Sequence, residues 1–79
     1  MRVRFFAAAA EAAGVPETTS SAATLDGLRS ELISTYGPDF ANVLAQCSYF
    51  VDGSRHGRDA QASLAGVELV DVLPPFAGG

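Results

Sequence analysis

The chain has no lysine and no tryptophan, and only one cysteine, one histidine and one methionine among its 79 residues. Each shortage closes off a class of function. Without lysine, the α-amine is the only amine, so no side chain can accept an isopeptide-linked modifier. The five arginines are scattered and the net charge is −4. That balance leaves no basic patch for nucleic acid and gives any phosphate-bearing ligand mainly to a partner's cations. An acidic protein suits basic partner surfaces instead. A lone Cys47 excludes an intramolecular disulfide and fits a reducing compartment. Within FANVLAQCSYF it reads as a small buried hydrophobe rather than a reactive thiol. No Cys/His cluster has metal-ligand spacing, so no metal is expected. His56 stands apart from any Cys, Asp or second His motif, which argues for an exposed, non-catalytic side chain. No apolar run approaches the ~18 residues of a membrane span. The opening MRVRFFAAAAEAAG is basic and then Ala-rich, yet Glu11 interrupts it and the Leu-rich core of a signal peptide is missing. The expectation is a cytoplasmic protein that meets neither membrane nor nucleic acid.

What the chain does have is a modest stock of core formers. Of its hydrophobic residues, 14 are Ala, while Leu, Ile, Val and Phe number 20. That is about a quarter of the chain, enough to argue against disorder but thin for a core. A length of 79 residues makes one domain.

Val3, Phe5 and Ala7 alternate with Arg2, Arg4 and Phe6, the period of a strand buried on one face. AAAAEAA follows as a turn of helix ended by Gly14. Thr18 to Ser21 reads as a polar edge strand. Thr24 is a candidate N-cap, with Asp26 well placed for the helix dipole. Leu25, Leu28, Leu32 and Tyr36 then recur at the spacing of an amphipathic helix, which Gly37-Pro38 stops. Asp39 is expected to cap a second, shorter helix carrying Phe40, Val43, Leu44 and Cys47. Tyr49–Val51 reads as a strand and Asp52-Gly53 as a two-residue hairpin turn. Ser54 to Gly66 is polar and irregular, with room for one short strand. Val67 to Leu73 is almost continuously apolar, which points to a central strand buried on both faces. The sum is an α+β fold: a mixed sheet of four to five strands covered by one main helix.

The ending, LPPFAGG, has no structural duty in this scheme. Pro74 and Pro75 remove two backbone donors and favour an extended path away from the sheet. A stiff, extended segment loses less entropy when a partner binds it. Phe76 either folds back on the domain or anchors in a partner's pocket, where aromatics often dominate affinity. Gly78 and Gly79 have no Cβ and can pass through a narrow channel.

These features together carry a resemblance. FFAAAAEAAG, TLDGLRSEL, YFVDG and LVDVLPPFAGG, spread over nearly the whole chain, resemble the molybdopterin synthase small-subunit (MoaD) family of ubiquitin-like sulfur carriers. The tail is the specific part; the other segments are common to many short α+β sequences. Ala8 to Ala10 lack the basic residues often found there in the family, Asp52 stands where Asn is customary, and Ala65-Gly66-Val67-Glu68 replaces a more acidic stretch.

The resemblance implies a ubiquitin-like β-grasp domain over residues 1–73 and a working tail over 74–79. It implies that an adenylating, ubiquitin-activating-like partner uses ATP to join the Gly79 carboxylate to AMP. Sulfur from a persulfide or sulfide source then replaces AMP and leaves a thiocarboxylate. That tail would enter the large subunit of molybdopterin synthase and give sulfur to cyclic pyranopterin monophosphate for molybdenum cofactor biosynthesis. Gly79 supplies the reactive carbonyl, Gly78 gives access, and Pro74, Pro75, Phe76 and Ala77 thread and anchor. The chain itself would bind no cofactor and would not be catalytic alone. Related carriers serving thiamine or cysteine biosynthesis share this tail chemistry, as does a protein modifier joined through Gly79 to a target lysine. A plain interaction domain with incidental glycines is the remaining alternative.

Overall fold

The computed structural model describes residues 1–75. Alternation sets the first strand: in β1 (Arg2–Phe5), Val3 and Phe5 are buried while Arg2 and Arg4 point the other way. The chain then turns at Ala7 into α1 (Ala8–Ala13), which Gly14 ends in the left-handed conformation while donating to the Ala10 carbonyl. The edge strand β2 (Glu17–Thr19) starts one residue earlier and ends two earlier than the Thr/Ser run suggested. Ser20 is drawn out of the expected strand by other duties. Its backbone exchanges hydrogen bonds with Met1, and its hydroxyl donates to Glu31.

Thr24 caps α2 (Leu25–Tyr36) as the sequence predicts, its hydroxyl oxygen accepting from the Gly27 N–H at 3.0 Å. Asp39 does not cap α3 (Pro38–Leu44). Pro38 takes the first helical position, where its fixed φ fits and no donor is lost, so Gly37 becomes the capping residue. Asp39 falls in the first turn, where its charge still favours the helix dipole.

Asp52 and Gly53 both have positive φ (46° and 87°), which joins β3 (Ser48–Val51) to β4 (Ser54–His56) in a tight hairpin. His56 is half-buried at the end of β4, opposite Tyr49, rather than exposed in a loop. Finally β5 (Leu69–Leu73) runs parallel to β1 and antiparallel to β3.

The resulting five-stranded mixed sheet has the order β2-β1-β5-β3-β4, a β-grasp-like arrangement with the last strand at its centre. The parallel β1–β5 pair needs a long crossover, and the intervening chain supplies it together with the helices that cover one face. Val3, Phe5, Tyr49, Val51, Val70 and Val72 meet Leu25, Leu28 and Leu32 of α2 and Phe40 and Leu44 of α3 in one core. Phe5, Tyr36 and Phe40 form an aromatic cluster with centroids 5.1–5.6 Å apart. The two Phe5 pairs are edge-to-face, and pairs of this kind add about 0.5–1.5 kcal/mol beyond the area they bury.

One expectation for β5 needs correcting. The strand is central, but it is fully buried on one face only: Val70 and Val72 are inside, while Leu69, Asp71 and Leu73 are half-buried. The physical reason is that the helices pack against the other side of the sheet. Among the described residues, no helix is long and apolar enough to cross a membrane.

Candidate functional site at the root of the C-terminal tail

Three segments meet where β5 ends. The first is β5 itself, pinned on both sides. Arg4 grips Asp71 with two hydrogen bonds, Nε to Oδ1 at 2.6 Å and Nη2 to Oδ2 at 2.8 Å. This fork-on-carboxylate geometry is the strongest form of such a pair, and the Asp71 bond holds Arg4 still more firmly in its charged form. At the strand's other end the Asp52 carboxylate accepts from the Glu68 and Leu69 backbone N–H groups, at 3.1 and 2.9 Å through Oδ1. The hairpin aspartate therefore does more than permit the turn: it fixes where β5 begins.

The second segment is the turn after β1. The Phe6 N–H reaches across to the Val72 carbonyl at 3.2 Å, carrying the parallel pairing one step past β1. Ala7 then adopts φ 50° and ψ −125°, a combination that glycine tolerates and a Cβ does not. Strain of this sort costs on the order of 1–3 kcal/mol and persists only where surrounding structure imposes it. Here the Phe6 hydrogen bond on one side and the start of α1 on the other impose it. Phe6 is left exposed, its ring 5.6 Å from the Arg4 guanidinium.

The third segment is the end of α3. Val43 and Gln46, together with Ala8 from α1, border a small hollow of about 130 Å³ against Pro74 and Pro75. Pro74 is buried and Pro75 exposed. Sequence reasoning started the working tail at Pro74; the structure seats that residue in the fold. The side chains bordering the root carry no titratable group.

The remaining site residues proposed from the sequence, Phe76, Ala77, Gly78 and Gly79, lie outside the described residues, as does the choice between a folded-back and a free Phe76. Cys47 is fully buried, its thiol directed at the Val43 carbonyl at 3.3 Å, and burial pushes its pKa up to about 11. It packs as a hydrophobe and is no ready nucleophile. Among the described residues, no three His, Cys, Asp or Glu side chains gather into a group that could hold a metal.

Sequence reasoning missed the Arg4–Asp71 pair, the second task of Asp52, the strained Ala7 and the seat of Pro74. A signal existed for the first. Asp71 breaks the otherwise apolar β5 and Arg4 lies on the polar-facing side of β1, and two opposite charges inside neighbouring strands invite pairing. No local pattern marks Ala7 or Pro74, because both depend on contacts between distant segments. No family model matches the chain, and no curated protein matches it either.

Proposed function

We propose that this protein is a sulfur carrier whose Gly79 carboxylate is converted to a thiocarboxylate, serving as the small, sulfur-donating subunit of a molybdopterin synthase. The observation that supports this most is the pairing of topology with tail. The last strand is held at the centre of the sheet, and the sequence runs on through Pro74 and Pro75 into Phe76-Ala77-Gly78-Gly79. A carrier of this type needs a rigid body to dock and a thin segment to insert. The gripped strand and the seated Pro74 suit the first need, and the side-chain-free glycines suit the second.

The chemistry follows from the poor electrophilicity of a carboxylate. A Gly79 carboxylate oxygen attacks the α-phosphorus of ATP within the adenylating partner and pyrophosphate leaves, giving an acyl adenylate. Hydrosulfide then attacks the carbonyl carbon; the C–S bond forms, the C–O bond to AMP breaks and AMP departs with that electron pair. The thiocarboxylate enters the large subunit, where its sulfur takes the place of an oxygen on a carbon of the cyclic pyranopterin monophosphate: the C–S bond forms, the C–O bond breaks and the oxygen leaves with that electron pair. Water cleaves the carbonyl–sulfur bond and restores the carboxylate, and a second loaded carrier delivers the second sulfur of the dithiolene. Acid, base and phosphate-binding cations belong to the partners. The tail root supplies position: Pro74 and Pro75 direct, Phe76 and Ala77 anchor, and Gly78 admits.

Intact-mass measurement tests the reading. The protein is incubated with ATP, an adenylating enzyme of the ubiquitin-activating type and sulfide. The expected result is a mass increase equal to one oxygen replaced by sulfur, mapped to Gly79 and abolished by deleting Gly79 without loss of fold. No increase, with an enzyme that demonstrably adenylates another carrier, overturns the proposal. Covalent adducts on other proteins' lysines in place of the thiocarboxylate would move the protein into the modifier class.

A further inference from the structure

The arginines of this chain are held in two different ways. On the open sheet face, Arg2 and Arg4 are tightly bonded, to Glu17 at 3.0 Å and to Asp71 at 2.6 Å. Across the molecule, Arg29 of α2 and Arg58 of the loop after β4 converge on one cleft, and among the described residues neither has a carboxylate within hydrogen-bond reach. Asp26 lies 3.9 Å from Arg29 Nη1, and Asp59 lies 3.8 Å from Arg58 Nε. Both carboxylates are well hydrated, with 78% and 94% of their side chains exposed, so their fields are screened. The Arg29 side chain is only 17% exposed. It lies over the Tyr49 ring at 5.1 Å and donates to the Ala60 carbonyl, and its Nε is buried with no acceptor. A guanidinium offers five donors; here one is used on Ala60, and the buried Nε–H has no acceptor among the described residues. The Ala60 bond also ties down the loop that carries Arg58.

The cleft has a volume of about 350 Å³; Ile33, Ala41, Leu44 and Ala45 give it an apolar wall, and the exposed Asp26 and Asp59 also border it. Ile33 is one of the chain's exposed large hydrophobics. The cleft uses the Ala41–Leu44–Ala45 stripe of α3, whereas the tail root uses Val43 and Gln46, so the two sites lie on different faces of that helix. We infer that this cleft binds a small amphipathic carboxylate: its head group accepts from Arg29 and Arg58, and its short aliphatic body covers Ile33 and Leu44. A carboxylate supplies the planar acceptor pair that a guanidinium fork matches, and the apolar wall selects against acetate-sized ions. The cleft and the tail root share no lining residue.

The test is a ¹H–¹⁵N correlation titration of the full chain at pH 7 and fixed ionic strength, with sodium hexanoate, 1-hexanol and hexylammonium chloride as probes. Hexanoate is expected to give saturable shifts at Leu44, Ala45 and the Arg29 side-chain N–H, with hexanol at least tenfold weaker and hexylammonium without effect. Arg58→Gln, at an exposed position, should weaken hexanoate about fivefold or more, and Ala45→Phe should cover the apolar wall and abolish the shifts. Non-saturable shifts, an equal response to hexylammonium, or unchanged affinity in both variants would overturn the assignment.

Discussion

The two faces of the sheet are built on opposite principles. The inner face is apolar and dry: Val3, Tyr49, Val70 and Val72 are fully buried beneath α2 and α3. The outer face holds its strands by charge, with Arg2 on Glu17 and Arg4 on Asp71 joining β1 to its two neighbours, and it leaves Phe6 exposed. Stability should therefore reside on the inner side, where area leaves water, while the outer side sets register and pins the strand that leads into the tail. The tail root sits at the seam of the two, with Pro74 drawn inward and Phe6 turned outward.

The largest test of this division is a cavity beneath the inner face. Leu28 is fully buried in the centre of α2. Leu28→Ala is expected to cost about 3 kcal/mol, within the usual range for a buried Leu. In a domain this small that is a large share of a total of roughly 5–10 kcal/mol. Urea denaturation should show a lower midpoint with an unchanged slope. A loss of 0.5 kcal/mol or less would mean that α2 does not carry the core and that the comparison is drawn in the wrong place.

A second test uses pH, because the inner face also holds thiol and phenol groups in neutral form. Burial pushes the Cys47 thiol up to about 11 from the ordinary 9.0, and burial also raises Tyr49, with the neighbouring Arg29 opposing part of that rise. Both groups are harder to ionise folded than unfolded. Their contribution is thus fully present below the unfolded pKa and is lost as pH rises through the folded one. For Cys47 the window runs from about 9 to about 11, and the loss is on the order of 2 kcal/mol. Cys47→Ala should flatten the fall in unfolding free energy between pH 8.5 and 11. An equally steep fall in the variant would assign the alkaline transition to Tyr49.

The same division governs how much of the fold could be read from the sequence. The inner face was legible because burial imposes a period: two in β1, and three or four from Leu25 to Tyr36. Local chemistry made other features legible, including the Thr24 cap, the Gly14 stop and the Asp52-Gly53 turn. The expected double burial of β5 failed because an apolar run alone does not reveal how many faces a sheet has covered. Asp71, the charge in the middle of β5, was the clue to an open outer face. Asp39 lost its capping role to Pro38, a competition between adjacent residues that side-chain preference alone does not decide. At the tail root, the glycines and prolines stood out by composition. The seat of Pro74 and the backbone of Ala7 arise where three distant segments meet, and no window along the chain contains all three.

The smallest effect belongs to the outer face. Arg4 and Asp71 are partly exposed, so their pair is worth no more than about 1 kcal/mol despite its bidentate geometry. Asp71→Asn keeps size and shape and removes the charge, and it should lower stability by about 0.5–1 kcal/mol in 20 mM salt. The deficit should shrink in 0.5 M salt, where the native pair is screened. The Leu28→Ala deficit should not shrink, because burial of apolar area is not a Coulomb effect. If Arg4 chiefly holds β5 in register, Asp71→Asn should also speed hydrogen exchange at the Phe6 amide, which depends on the Val72 carbonyl next to Asp71. An Asp71→Asn variant with native exchange at Phe6 and a salt-independent deficit would reduce the pair to an ordinary surface contact. Faster exchange at Phe6 with little loss of global stability would instead give the outer face the role argued here, setting the strand's position while the inner face holds the fold together.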